Sequence, residues 1–335
     1  MVIKIGPTPI KHEYNCLRSM DFSAKDKHIV VNYHYIRNPH KDFSGIYPCA
    51  IKRFEQHMDF LSKNFRFASL EETFSAAQSL SKEKLCSITF DDGTKDQFLN
   101  AVPILNNYGA KATFFIITGT LKGIMPFTHK IHILLSRISP HDPLSFFEDF
   151  VQLFSLRNKS QYKIQTNKFI SKDRELMGED VRVANFKDAL IALDIESKNL
   201  FLDYAFNKLR IDINALAKEF FMGEKELREL DRQGFSIGSH TYGHNDLDSL
   251  TRLEIQTEIN ISKEHLEQIL GKPPVFFCYP FGRIGKNYDI AAGILQEEGF
   301  THAVTIERRS VTHFDSPFFI PRYDTNDIRD FLNQK

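Results

Sequence analysis

Two adjacent carboxylates, Asp91 and Asp92, end the apolar run Ser87-Ile88-Thr89-Phe90 and stand directly before Gly93. Neighbouring carboxylates repel, and consecutive residues of a strand point to opposite faces, so the pair belongs where a strand breaks into a loop. One carboxylate can then hold a cation while the other takes up a proton. The plainer alternative is an Asp-Asp-Gly turn that caps the next helix. A second polar cluster, Gly238-Ser239-His240-Thr241-Tyr242-Gly243-His244, follows another apolar run. Residues four apart meet on one face of a helical turn, where two neutral imidazoles can ligate one divalent metal. With 13 His in 335 residues, chance alone supplies about 0.5 such pairs, so the spacing does not by itself separate ligands from core or surface histidines.

Position adds what spacing lacks. Asp91 and Asp92, His240, the loop Pro280-Phe281-Gly282 and His34 all follow predicted strands. If those strands are parallel, their C-terminal ends share one mouth, where α/β barrels assemble active sites from distant loops. Two histidines and a carboxylate with open positions suit Zn²⁺, and also Co²⁺, Ni²⁺ or Mn²⁺. The spare carboxylate becomes the proton acceptor. These are the parts of metal-assisted hydrolysis.

The elements that must position these groups are legible as short β-branched or aromatic runs at His28-Tyr33, Phe65-Ser69, Leu85-Phe90, Lys111-Ile117, Phe235-Ser239, Val275-Tyr279 and Thr301-Ile306. Helical spacing lies between most of them. Ile51, Phe54, Met58 and Leu61 mark one face, Phe98, Val102 and Leu105 another, and Leu253, Ile255, Ile259, Leu266 and Ile269 a longer one. Gly109, Gly234 and Gly299 stand where helices should end. Strand and helix in alternation predict an α/β protein, and the even spacing favours a closed barrel of about seven or eight strands over an open doubly wound sheet. Residues 119–229 break the rhythm: they hold no convincing strand but helix-like segments at Leu144–Leu156 and Phe186–Leu209. They predict a large helical insertion, either a buttress or a lid shaping substrate choice. The expected division is an extension over 1–27, a barrel from 28–118 and 230–335, and the insertion at 119–229.

Composition excludes several classes of partner. Lys plus Arg equals Asp plus Glu at 43 each, so no net positive field collects nucleic acid or an anionic membrane. The 42% apolar content, with 31 Phe, supplies a sizeable core. Met1 to Cys16 contains Lys4, Lys11 and Glu13 without a continuous apolar stretch, and no later run approaches membrane-spanning length. Cys16, Cys49, Cys86 and Cys278 are scattered and read as buried thiols. These features predict a cytoplasmic protein without a transmembrane segment.

Thr89-Phe90-Asp91-Asp92-Gly93, then Ala112-Thr113-Phe114-Phe115, then Gly238-Ser239-His240-Thr241-Tyr242-Gly243-His244, and finally Tyr279-Pro280-Phe281-Gly282 together resemble the polysaccharide deacetylases, the NodB-homology group also known as carbohydrate esterase family 4. The resemblance covers about residues 28–118 and 230–325. It implies a distorted (β/α)7-type barrel and metal-dependent removal of acetyl from an N-acetyl sugar, with Asp91 as catalytic base and Asp92, His240 and His244 as metal ligands. It also implies that the backbone N–H of Phe281 helps to hold the oxyanion; with no Trp in the chain, Tyr242, Tyr279 and Phe281 are the aromatic side chains expected to face the substrate. Two positions depart from the family pattern. Its third motif begins with an arginine that orients the base, where this chain has Cys278, and Arg322 in Ile320-Pro321-Arg322-Tyr323-Asp324 is the candidate replacement from another strand. The family's late Leu-x-His motif has no clean counterpart: His34, in Tyr33-His34-Tyr35, is preferred as general acid over His313. The expected substrate is an amino sugar carrying an N-acetyl group, nucleotide- or lipid-linked, at the inner membrane face in surface-glycan biosynthesis. Alternatives are a hydrolase of a non-sugar amide or cyclic ureide or imide, and an inactive glycan-binding protein on the same scaffold.

Overall fold

The computed structural model describes residues 26–138, 143–158, 167–169, 180–282 and 285–332. Cys16 and the rest of Met1 to Cys16, on which the expected cytoplasmic location partly rests, lie outside the described residues, as does most of the 1–27 extension. The chain divides into two compact units.

The larger unit is built on eight strands: β1 (His28–Tyr33), β2 (Arg66–Phe67), β3 (Leu85–Phe90), β4 (Ala112–Ile116), β5 (Ser236–Ser239), β6 (Phe276–Cys278), β7 (His302–Val304) and β8 (Tyr323–Asp324). Every strand pair is parallel, in the order β7-β6-β5-β4-β3-β1-β8, with β2 alongside the start of β3. The sheet curls until the chain entering β8 meets β7: Val304 bridges Ile320, the Ile320 N–H donates to Ala303 O, and the Thr305 N–H donates to Ile320 O. This is the expected distorted barrel. Each residue of β1, β3 and β4 is buried, as parallel strands covered on both faces require. The core between strands and helices is aromatic: Phe90 stacks on Phe114 at 4.7 Å, and Tyr33 meets Phe54 edge-on at 4.9 Å.

Helix Ile51–Asn64 buries Phe54, Met58 and Leu61 as their spacing predicts. Helix Arg252–Leu270 buries Ile255, Ile259, Leu266 and Ile269, but Leu253 is 72% exposed on its first turn. The start of that helix is held by a reciprocal capping box between Thr251 and Glu254. Gly234 and Gly299 each adopt φ +84 where a helix returns to a strand, a conformation open to Gly without a Cβ penalty. Among the described residues, no helix is long and apolar enough to cross a membrane.

The second unit contains Pro39–Ile46 and the chain between Phe127 and Ile213. Among the described residues its helices are Phe127–Arg137, Pro143–Asn158, Val181–Ala192 and Ile195–Leu209. The single helix expected over Phe186–Leu209 is two, because Asp194 stops the first and caps the second by accepting the Ser197 N–H at 2.8 Å. Phe147, Phe150, Phe186 and Phe201 pack edge to face in the core of this unit.

Candidate active site

The mouth at the C-terminal ends of the strands gathers the polar residues. The Asp91 N–H still bonds to Tyr33 O at 2.9 Å, extending the ladder one residue beyond β3. Asp92 and Gly93 then turn through the left-handed region at φ +74 and +73. That reversal separates the two carboxylates into different surroundings. Asp92 Oδ1 lies 3.6 Å from His240 Nε2 and 3.7 Å from His244 Nε2, and one donor atom from each of the three falls within 4.8 Å of the others.

His240 and His244 do not sit on a helical turn. They occupy an irregular loop in which Thr241 and His244 adopt φ +63 and +57, so left-handed kinks rather than helical periodicity bring the rings to 4.7 Å. Such backbone costs of order 1–3 kcal/mol per residue and persists where its surroundings impose it. Asp92, Thr241, His244 and Phe281 are four of the six non-glycine residues with positive φ among the described residues, so this strain is concentrated at the mouth.

The donor set fits a divalent metal. His240 Nδ1 is 2.8 Å from Cys278 O, and a carbonyl only accepts, so Nδ1 carries the proton and Nε2 turns its lone pair toward Asp92. Burial lowers the His240 pKa, against the opposing charges of Asp91 and Asp92, which keeps the ring in the neutral, ligating form.

Asp91 has different partners from Asp92, although one of its oxygens also lies within 4.8 Å of a ring nitrogen of His240 and of Cys278 Sγ. Arg322 forks it, Nη1 to Oδ1 at 2.7 Å and Nη2 to Oδ2 at 2.8 Å, while its Nε donates to Thr305 O and its Nη1 also to Thr89 Oγ1. Arg322 is itself buried, with Nη2 3.2 Å from Cys278 Sγ. Burial raises the Asp91 pKa, but the charge and hydrogen bonds of Arg322 outweigh it and bring the carboxyl down to about 2. Asp91 is therefore ionised at neutral pH. His34 Nε2 stands 4.0 Å from Asp91 Oδ2, with the side chain 44% exposed. His313 is exposed in the loop before β8, its ring against Phe314, so of the two candidate acids His34 is the one beside Asp91.

Phe281 adopts φ +61, is 44% exposed and sets its ring 4.8 Å from His244. Tyr279 does not face the mouth as expected. Its side chain is fully buried, packed on Tyr288 at 4.7 Å and Phe319 at 6.0 Å, because strand alternation turns it outward into the helix layer. Tyr242 is half-buried against His265.

Two residues at the site were not singled out from the sequence. Asn32 Nδ2 donates to Asp91 Oδ2 at 3.0 Å. It was detectable as the one amide in the buried strand HIVVNY. Gln97 Nε2 donates to Asp91 O at 2.6 Å and His34 O at 2.9 Å from a short π-helical segment, Gln97–Ala101. Nothing local marks that bulge.

Comparison with known proteins agrees with this geometry. A family model described as polysaccharide deacetylase matches residues 79–129 and 204–300. The protein YxkH of Bacillus subtilis strain 168, whose name includes the words polysaccharide deacetylase, is 33% identical over 126 residues, 31% of this chain and 44% of its own length. The chain thus spans less than half the length of the curated relatives it matches. Among solved structures, Streptococcus pyogenes deacetylase PplD in complex with acetate is 17% identical, with a TM-score of 0.55 over 91% of this chain and 97% of that one. IcaB from Ammonifex degensii is 17% identical, with a TM-score of 0.53 over 89% and 91%. A de-N-acetylase from Aggregatibacter actinomycetemcomitans is 15% identical, with a TM-score of 0.52 over 92% and 100%. At these identities the structural likeness is one of fold. Over those matched residues the chain is similar to the polysaccharide deacetylases, and its barrel is the fold of these solved deacetylase structures.

Proposed function

We propose that the protein is a metal-dependent hydrolase that removes an N-acetyl group from an amino sugar. The observation that carries the reading is the separation of roles between adjacent carboxylates: Asp92 converges with His240 and His244, while Asp91 is ionised and gripped by Arg322. A divalent ion held by Asp92, His240 and His244, Zn²⁺ first among Co²⁺, Ni²⁺ and Mn²⁺, would polarise the acetyl carbonyl and make water more acidic. Asp91 accepts the proton of the attacking water as its oxygen bonds to the acetyl carbon. Arg322 and Asn32 keep the Asp91 carboxylate at one orientation, which removes the entropy of finding it. The Phe281 N–H is assigned to the developing oxyanion, and its exposed ring to the sugar face. His34 then protonates the departing amine as the C–N bond breaks, giving acetate and a free amino sugar.

The proposed substrate is a nucleotide- or lipid-linked precursor of a surface glycan, processed in the cytoplasm or at the inner face of the membrane. Acetate release from N-acetyl sugars in free, nucleotide-linked and lipid-linked form, with and without chelator and added Zn²⁺ or Co²⁺, tests both parts. Metal-dependent release that disappears in Asp91→Asn supports the reaction and identifies the substrate arm. Silence across the panel with metal bound would shift the reading to a non-sugar amide or to an inactive glycan-binding protein.

A further inference from the structure

The loop that carries His240 and His244 is strained, and one helix holds both of its ends. On helix Arg252–Leu270, Glu258 and Ser262 are four residues apart and so share a face. Ser262 Oγ is 2.7 Å from Ser239 Oγ, which also accepts the Thr241 N–H at 3.2 Å. Glu258 Oε2 accepts the Gly243 N–H at 2.7 Å, and Oε1 accepts Asn245 Nδ2 at 2.9 Å. These two donors flank His244. Gly243 leaves room for that approach: a Cβ there would lie 2.8 Å from Asn245 Nδ2 and 3.0 Å from Glu258 Oε1, and both side chains would have to shift. On the other side, the N–H groups of Thr118 and Gly119 donate to Thr241 O and Tyr242 O. The left-handed kinks at Thr241 and His244 are thus imposed from two directions, and only the helix side does so through a carboxylate, whose hydrogen bonds are the stronger kind.

We infer that Glu258, supported by Ser262, is a positioning residue for the metal-binding loop and sets how tightly the site takes a divalent cation. Without Glu258 the Gly243 N–H and the Asn245 amide lose their acceptors, and the loop is free to relax toward ordinary φ values that turn His244 Nε2 away from Asp92. The inference rests on the reading of Asp92, His240 and His244 as metal ligands.

The test is metal affinity rather than turnover. Zn²⁺ dissociation constants from chelator competition, and Co²⁺ absorption spectra, are compared in the full chain for the parent, Glu258→Gln, Glu258→Ala and Glu254→Ala. The last removes the capping box of the same helix without touching the loop. Glu258→Ala should weaken Zn²⁺ binding about 10–100-fold, the range for residues that orient metal ligands, and should alter the Co²⁺ ligand-field bands. Glu258→Gln, which keeps one acceptor, should fall between it and the parent, and Glu254→Ala should bind as the parent does. Parent affinity in the Glu258 variants overturns the inference, and so does equal weakening in Glu254→Ala, which would mark a general loss of stability. If Glu258→Ala does not fold, Glu258→Gln decides alone. A parent that binds neither ion, or binds them equally well as His240→Ala, overturns the ligand assignment itself, a result distinct from failure of the Glu258 variants.

Discussion

Arg322, one residue before β8, grips Asp91, one residue after β3, through both oxygens, and the same guanidinium lies 3.2 Å from Cys278 Sγ. In the family pattern an arginine stands at the position of Cys278. Here the small thiol leaves room for a guanidinium that enters from the opposite side of the barrel closure. Replacing Arg322 by Ala leaves a buried carboxylate without its counter-charge, and the loss should be about 3–5 kcal/mol of stability, read by urea unfolding, with the proposed deacetylation abolished. Arg322→Lys keeps charge but not the fork, and should lose activity out of proportion to stability. The double variant Cys278→Arg/Arg322→Ala should regain part of the activity lost in Arg322→Ala. No recovery would mean that the two positions are not interchangeable.

The two carboxylates should separate on metal analysis. Asp92→Ala and His240→Ala are expected to lose both bound Zn²⁺ and activity, whereas Asp91→Asn should keep the metal and lose activity. Metal content measured on purified variants checks this, and equal metal loss in all three would sink the division of roles.

Acid should weaken the protein in two steps. Burial lowers the pKa of His57, which sits 3.2 Å from Tyr33 Oη, from 6.5 to about 4. A histidine held neutral in the fold favours protonation on unfolding, so its stabilisation is whole above about pH 6.5 and fades as the pH falls toward about 4. Asp91, buried but drawn down from 3.8 to about 2 by Arg322, is the depressed carboxyl case. Its contribution, about 2 kcal/mol, is present above about pH 4 and lost as the pH falls through about 2. Unfolding midpoints against pH should lose the upper step in His57→Gln and the lower step in Asp91→Asn. Unchanged profiles in these variants would assign the acid sensitivity elsewhere.

The choice between general acids is open to a direct comparison. His34→Ala should reduce kcat about 10²–10⁴-fold, the usual contribution of a positioned proton donor, with metal content unchanged. His313→Ala, at an exposed loop position, should match the parent. The opposite pattern would move the acid to the loop before β8.

Local chemistry was legible in the chain. Apolar runs ending in Asp91-Asp92-Gly93 and Ser239-His240 marked strands and their loops, because side-chain burial and turn chemistry act over a few residues. The strand positions and the barrel class follow from that periodicity. The pairing of Arg322 with Asp91, 231 positions apart, was reachable only through the family resemblance, since nothing near either residue encodes the other. The π-helical seat of Gln97 and the left-handed loop around His244 also escape local pattern. Each is set by what packs against it. Sequence alone determined which residue types stand at strand ends and could do chemistry. Tertiary structure decided which of them meet and in what charge state, because burial and long-range hydrogen bonds, not spacing, select one arrangement of a buried polar group.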